Sequence, residues 1–237
     1  MQPFPPPPVP PPPPVRPIRG LAVAVVVLLG LCTLLELLVL VVSIQRVSLV
    51  SGVIDDPESA NVETLTANDT WYALSGLTQL AVYVLTGIMF VVWLYRARCN
   101  AEAITPIPHR RSRGLVVFSW VIPIVNLWYP LQIVDDVWAT SSPRNLPPDL
   151  GPEALNRAPR SPLVRFWWLL WVFTTFGSTL FQRTVTGDDD LEAIVATARV
   201  DIWFAAPYAV SAVLAVLVVV NITTAQERWR LLAPRAY

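Results

Sequence analysis

Residues 114–141 read GLVVFSWVIPIVNLWYPLQIVDDVWATS, and the reading of this stretch decides the fold. It is apolar enough to enter a bilayer, yet Pro123 and Pro130 interrupt it. A proline inside a helix removes a backbone donor and clashes with the preceding turn. The run is therefore poorly suited to a straight crossing. The sequence predicts a broken segment over 114–140, centred near Asn126, that is re-entrant or interfacial. Non-helical backbone at membrane depth is tolerated only where protein or water covers it, so the break is expected to lie against the rest of the bundle or at the interface.

Four other apolar runs flank this piece, and each is long enough to cross a hydrocarbon core of roughly 30 Å. They place spans at about 20–45, 73–95, 166–182 and 202–224. Trp71, Trp93, Trp167 and Trp203 stand near their ends, as an interfacial belt requires. Arginine placement then sets the threading. If the broken segment leaves and returns on one side, 14 of the 17 basic residues share a compartment, and only Arg46, Arg183 and Arg199 lie opposite. If it crosses, the arginines divide almost evenly. The positive-inside rule selects the first arrangement, with both termini cytoplasmic. The expected fold is an all-α membrane protein of four transmembrane helices plus one proline-broken segment.

Composition agrees. Hydrophobic residues are 54% of the 237 and charged residues only 14%, too few to coat a soluble globule. All basic residues are arginine, and the formal net charge is zero, which removes a general case for nucleic-acid binding. Two cysteines and one histidine leave no disulfide framework and no protein-only structural metal site. No cofactor is expected.

Three regions frame the chain. Residues 1–19 form a proline-rich tail, expected to be an extended polyproline II arm. Such an arm serves as a docking ligand for an aromatic-lined groove or as a plain spacer. Residues 20–225 are the membrane domain, and 226–237 a cytoplasmic tail. The outer loops at about 46–71 and 183–201 are acidic. Asp188-Asp-Asp-Leu-Glu reads as the cap of a short helix through Arg199, with acids at the positive end of its dipole. The inner linker, 142–163, holds six prolines and is expected to be irregular.

Candidate sites are few. Glu36 is the ionisable side chain set well inside a span, where a charge costs about 2.5–3.5 kcal/mol. Gln79 and Tyr83 sit at a similar depth. Glu36 is either a proton or cation site or a protonated acid bonding two helices together. A second candidate gathers Pro123, Asn126, Pro130, Asp135, Asp136 and Arg96 at the broken segment. Asp135 and Asp136 point about 100° apart on a helix and are expected to pair with arginines. Arg110, Arg111 and Arg113, beside His109, are expected to contact anionic lipid headgroups, at about 1 kcal/mol each. No nucleophile elbow, zinc-protease helix, P-loop or dinucleotide fingerprint is present, and no catalytic residue is assigned.

The stretch FVVWLYRARCNAE at 90–102, followed by the broken segment, resembles a family of bacterial multi-pass proteins catalogued as domain of unknown function 4328, common in actinobacteria. Trp93, Tyr95, Arg96 and Asn100, then Trp120, Pro123, Asn126, Leu127, Pro130 and Trp138, carry the resemblance. It implies a bacterial cytoplasmic membrane and no activity, substrate or cofactor. Two functions compete on the sequence: a non-catalytic scaffold or regulatory partner, and a small transporter or channel-like subunit using Glu36. The expected partners are the bilayer, anionic headgroups, and a second copy or a protein bound through the proline tail.

Overall fold

The computed structural model describes residues 14–151, 153–185 and 190–232. Most of the proline arm, Asp188 and Asp189, and the last five residues lie outside the described residues. Among the described residues there are helices and no strands.

Helix α1, Arg19–Asp55, is built from the Leu/Val-rich run and ends where the Asp56 N–H bonds back to Gly52. Asn61 caps α2, Val62–Ile104, accepting from the Thr64 N–H at 3.1 Å. Asp190 caps α8, Leu191–Leu232, accepting from the Ala193 N–H at 2.7 Å. These three helices are long and apolar enough to cross a membrane. At 37 residues, α1 is about 55 Å long, well beyond the hydrocarbon thickness. The expected outer loop of 46–71 is therefore mostly helix, with a turn only at 56–61. The short helix expected to end near Arg199 instead runs unbroken into the following span. Both differences have one cause. Polar residues do not end a helix unless a breaker stands there, and no proline occurs in 46–56, 62–71 or 191–206; Pro57 stands where the one turn falls.

The broken segment is broken in fact. A single turn, α3 (Leu115–Phe118), is followed by irregular backbone through Pro123 and a 3₁₀ turn at Val125–Leu127. Helix α4, Tyr129–Thr140, then starts with Pro130 in its first turn, where the missing N–H costs nothing. Two side chains satisfy carbonyls that the break frees. The Asn126 amide donates to the Trp120 carbonyl and the Trp168 indole to the Leu127 carbonyl, both at 3.2 Å. The segment ends where it began. The Arg110 guanidinium meets Asp136 at 2.5 Å, so the chain leaves and returns at one end of the bundle.

The linker is irregular apart from a turn at Pro143–Asn145 and the single turn α5, Ala154–Arg157. Helix α6, Pro162–Val172, is capped by Ser161 and passes through a π turn at Phe173–Gly177 into α7, Ser178–Val185. Together these make 24 continuous helical residues, covering the run expected as the fourth span. A Cβ on Gly177 would touch the Phe204 ring at 3.4 Å, so α8 lies in close contact with the π turn.

Helix α1 packs antiparallel to both α2 and α8, and α6 and α7 lie against α8. The half of the bundle nearer the Arg110–Asp136 pair is an apolar and aromatic core around Val25, Trp93, Leu94, Trp168 and Val218, each at most 2% exposed.

Candidate functional site

Two polar tiers cross the bundle. The helices supply them at seven-residue spacing: Glu36 and Ser43 on α1, Tyr72 and Gln79 on α2, Asp201 and Tyr208 on α8. Seven residues are two turns, about 10 Å along one face. Because α1 is antiparallel to its neighbours, the paired positions fall level. In the first tier Asp201 accepts from the Tyr72 hydroxyl at 2.7 Å, from Gln182 at 3.1 Å and from Ser43 at 3.3 Å. Arg46 lies 4.5 Å over the Tyr72 ring and reaches Asp69 at 2.8 Å.

In the second tier the Gln79 amide donates to Glu36 at 2.5 Å. The Tyr208 hydroxyl lies 3.0 Å from the Ser178 hydroxyl and donates to the Thr174 carbonyl at the π turn. Trp171 donates to the Tyr83 hydroxyl at 3.1 Å. Glu36 is thus brought together with Gln79, as its depth implied. Tyr83 is turned toward Trp171. The whole Asp201 tier escaped sequence reading, although its signal, the heptad spacing of polar residues, was present on three helices.

The basic end forms a third cluster. Asp136 is fully buried and takes the Arg110 side chain at 2.7 Å and the Arg110 N–H at 3.0 Å. Asp135 accepts from the Ser161 N–H at 3.2 Å and faces Arg160 at 3.9 Å. Burial raises the Asp135 carboxyl above its ordinary range, opposed by the Ser161 bond and the nearby arginines. Both acids pair with arginines, as expected. Asn126 and Arg96 do not join them. Asn126 stays within the broken segment, and Arg96 is exposed. Arg98, on the opposite face from Arg96, is the buried arginine of this turn: it is 3% exposed, bonds Glu102 at 2.8 Å and donates to the Arg111 carbonyl at 3.0 Å.

The triplet expected on lipid is held by protein partners. Arg110 pairs with Asp136, Arg111 bonds Gln132 at 2.9 Å and lies 3.7 Å over the Tyr129 ring, and Arg113 bonds Glu102 at 2.7 Å. His109, read as an interfacial loop residue, is tucked 3.4 Å from the Thr140 hydroxyl. Desolvation, then repulsion from Arg98, lowers its pKa to about 3.

Two cavities open at opposite ends of the bundle. One, of about 450 Å³, is lined by His109, Arg110, Arg111 and Gln132. The other, of about 630 Å³, is lined by Asp55, Asp190, Glu192 and Arg199. Glu36 and Asn126 line neither. Among the described residues no group of three His, Cys, Asp or Glu is placed to hold a metal ion, and both cysteines are free.

One family model, a domain of unknown function designated DUF4328, matches residues 56–224. That is more than two thirds of the chain. The chain belongs to the DUF4328 family. No curated protein and no solved structure matches it. The DUF4328 region contains the Asp201 tier's Tyr72 and Gln182, the broken segment and the Arg110–Asp136 pair. Helix α1, with Glu36 and Ser43, precedes it.

Proposed function

We propose that this DUF4328 protein is a four-span protein of the bacterial cytoplasmic membrane that acts as a non-catalytic scaffold or regulatory partner. In this reading α1, α2, the 162–185 helix and α8 cross the bilayer, and the broken segment is re-entrant. Its exposed Phe118, Val121, Ile124 and Trp128 then meet lipid. The basic end, with both termini, faces the cytoplasm, where 14 of the 17 arginines gather under the positive-inside rule. Its partners are the bilayer, anionic headgroups at the rim, and a second copy or a protein taken up by the proline arm.

The observation that carries the scaffold reading is the separation of the cavities from the interior polar groups. Neither of these two cavities reaches Glu36 or Asn126, and an apolar and aromatic core lies between Glu36 and the His109 cavity. A solute path needs polar, water-accessible lining at mid-depth. The test is flux through vesicles holding the purified full-length protein. Ion and solute leakage equal to that of protein-free vesicles is expected. A saturable flux that Glu36→Gln abolishes would replace the scaffold with the transporter.

A further inference from the structure

The two polar tiers do more than join helices, because they are stacked. Glu36 lies about 10 Å inward of Ser43, and Tyr208 the same distance inward of Asp201. From the Asp201 end, the groups met in order are Arg46 and Asp69, then Tyr72, Asp201, Ser43 and Gln182. Beyond them are Glu36 and Gln79, with Tyr208 and Ser178 alongside. Carboxylates take up and release protons and hydroxyls relay them, while the amides orient these groups by hydrogen bonds.

The opposite direction is closed. Inward of Glu36 come Cys32, 3.3 Å from the Thr86 hydroxyl, and then Val25, Phe90, Trp93, Leu94 and Val218, all buried. Eleven residues of α1, about 16 Å, separate Glu36 from Val25, and no carboxylate of α1, α2 or α8 stands on that stretch.

We propose that Glu36 is a proton-exchange site served only from the Asp201 end of the bundle. A proton taken from hydronium at Asp201 is handed inward to the Glu36 carboxylate, leaving water outside and a neutral acid within. On release the Glu36 carboxylate keeps the Gln79 amide as its donor. The facing titratable and charged groups are Tyr72 and Tyr83 on α2, Asp201 and Tyr208 on α8, and Cys32 and Arg46 on α1. From the 162–185 helix the facing side chains are the neutral Ser178 and Gln182, while Arg183 beside them is exposed. The site is independent of the scaffold reading, because proton binding at Glu36 requires no through path.

The experiment uses full-length protein in vesicles whose two compartments are buffered separately, with orientation fixed by protease digestion of the 142–161 linker. Dicyclohexylcarbodiimide, an apolar reagent that adds to protonated carboxyls, is mapped to residue 36 by peptide mass, with Glu36→Gln as the blank. Labelling is expected to fall about tenfold per pH unit on the Asp201 side once the apparent pKa is passed. The pH of the other compartment should leave it unchanged. Labelling that follows the other compartment, or stays constant from about pH 5 to about pH 9, overturns the proposal. The route is tested separately. Asp201→Asn should slow the response to outer pH at least tenfold, and Tyr72→Phe, which keeps the ring, serves if that variant fails to fold. An unchanged rate in a folded variant overturns the route. The side is defined by Asp201 itself, so the outcome does not depend on which compartment that end faces, and flux plays no part in it.

Discussion

Burying the ring of His109 sets a pH limit on the basic end. Its Nδ1 is buried without a hydrogen-bond partner among the described residues, and desolvation, then Arg98, hold the imidazole neutral down to a pKa of about 3. In the unfolded chain the ring takes a proton near pH 6.5. Between those values the unfolded state binds more protons, so stability rises with pH across the window. The contribution is complete above about pH 6.5 and is lost as pH falls toward 3. By pH 5 the loss is on the order of 2 kcal/mol. Thermal midpoints in detergent should fall from pH 7.5 to 5, and His109→Gln should flatten that slope. Equal slopes in both proteins would show that the ring is not buried neutral. Nothing near His109 in sequence announces this, since the covering residue, Thr140, arrives only when α4 returns. Arg98 was legible. Trp93, Leu94, Ala97, Arg98 and Ala101 are all buried and follow the helical period, which leaves Arg96 on the other face.

At the scale of elements, the two prolines made the break readable, because each removes a donor at a fixed place. The caps were readable in the same way, Asp190 by its acidic run and Ser161 by the Ser-Pro that opens α6. The π turn was not, since it depends on the partners of the Thr174 carbonyl, which accepts from Tyr208 and from Ser178 at 2.6 Å. What returns the broken segment to its starting end is the Arg110–Asp136 pair. Removing one member of a buried pair costs about 3–5 kcal/mol, because the other is left uncompensated. Asp136→Asn should therefore lower the thermal midpoint sharply and expose the 106–113 loop to protease. Asp149→Asn removes an exposed pair with Arg157 and should leave the midpoint where it was. Matching losses in the two variants would mean that the Asp136 pair does not pin the segment.

Across the whole molecule, the start of α1 and the last turns of α8 are tied to one end of the bundle by side chains far apart in sequence. Asn100 accepts from the Arg16 N–H at 2.9 Å and donates to Gln226, and Glu227 accepts from the Ile18 N–H at 2.9 Å. Gln226 also donates to the Ala97 carbonyl and to Ser141, both at 2.8 Å, which locks the residue after α4 into the same cluster. Sequence could place these residues on one side by counting arginines, but not in contact, because no local pattern relates positions 16, 100, 141 and 226. The cluster makes the threading testable without the charge rule. In a background with Cys32→Ala and Cys99→Ser, the substitutions Asn156→Cys and Arg228→Cys should react with a membrane-impermeant maleimide only after the cells are permeabilised. Ala60→Cys, in the turn between α1 and α2, should react in intact cells. If Asn156→Cys and Arg228→Cys both react in intact cells, the segment between α2 and α6 crosses the bilayer. The Arg110–Asp136 and Asn100–Gln226 contacts could not then form in the membrane. Because the contacts and the arginine count are independent of each other, agreement of the labelling with both fixes the basic end as a single compartment.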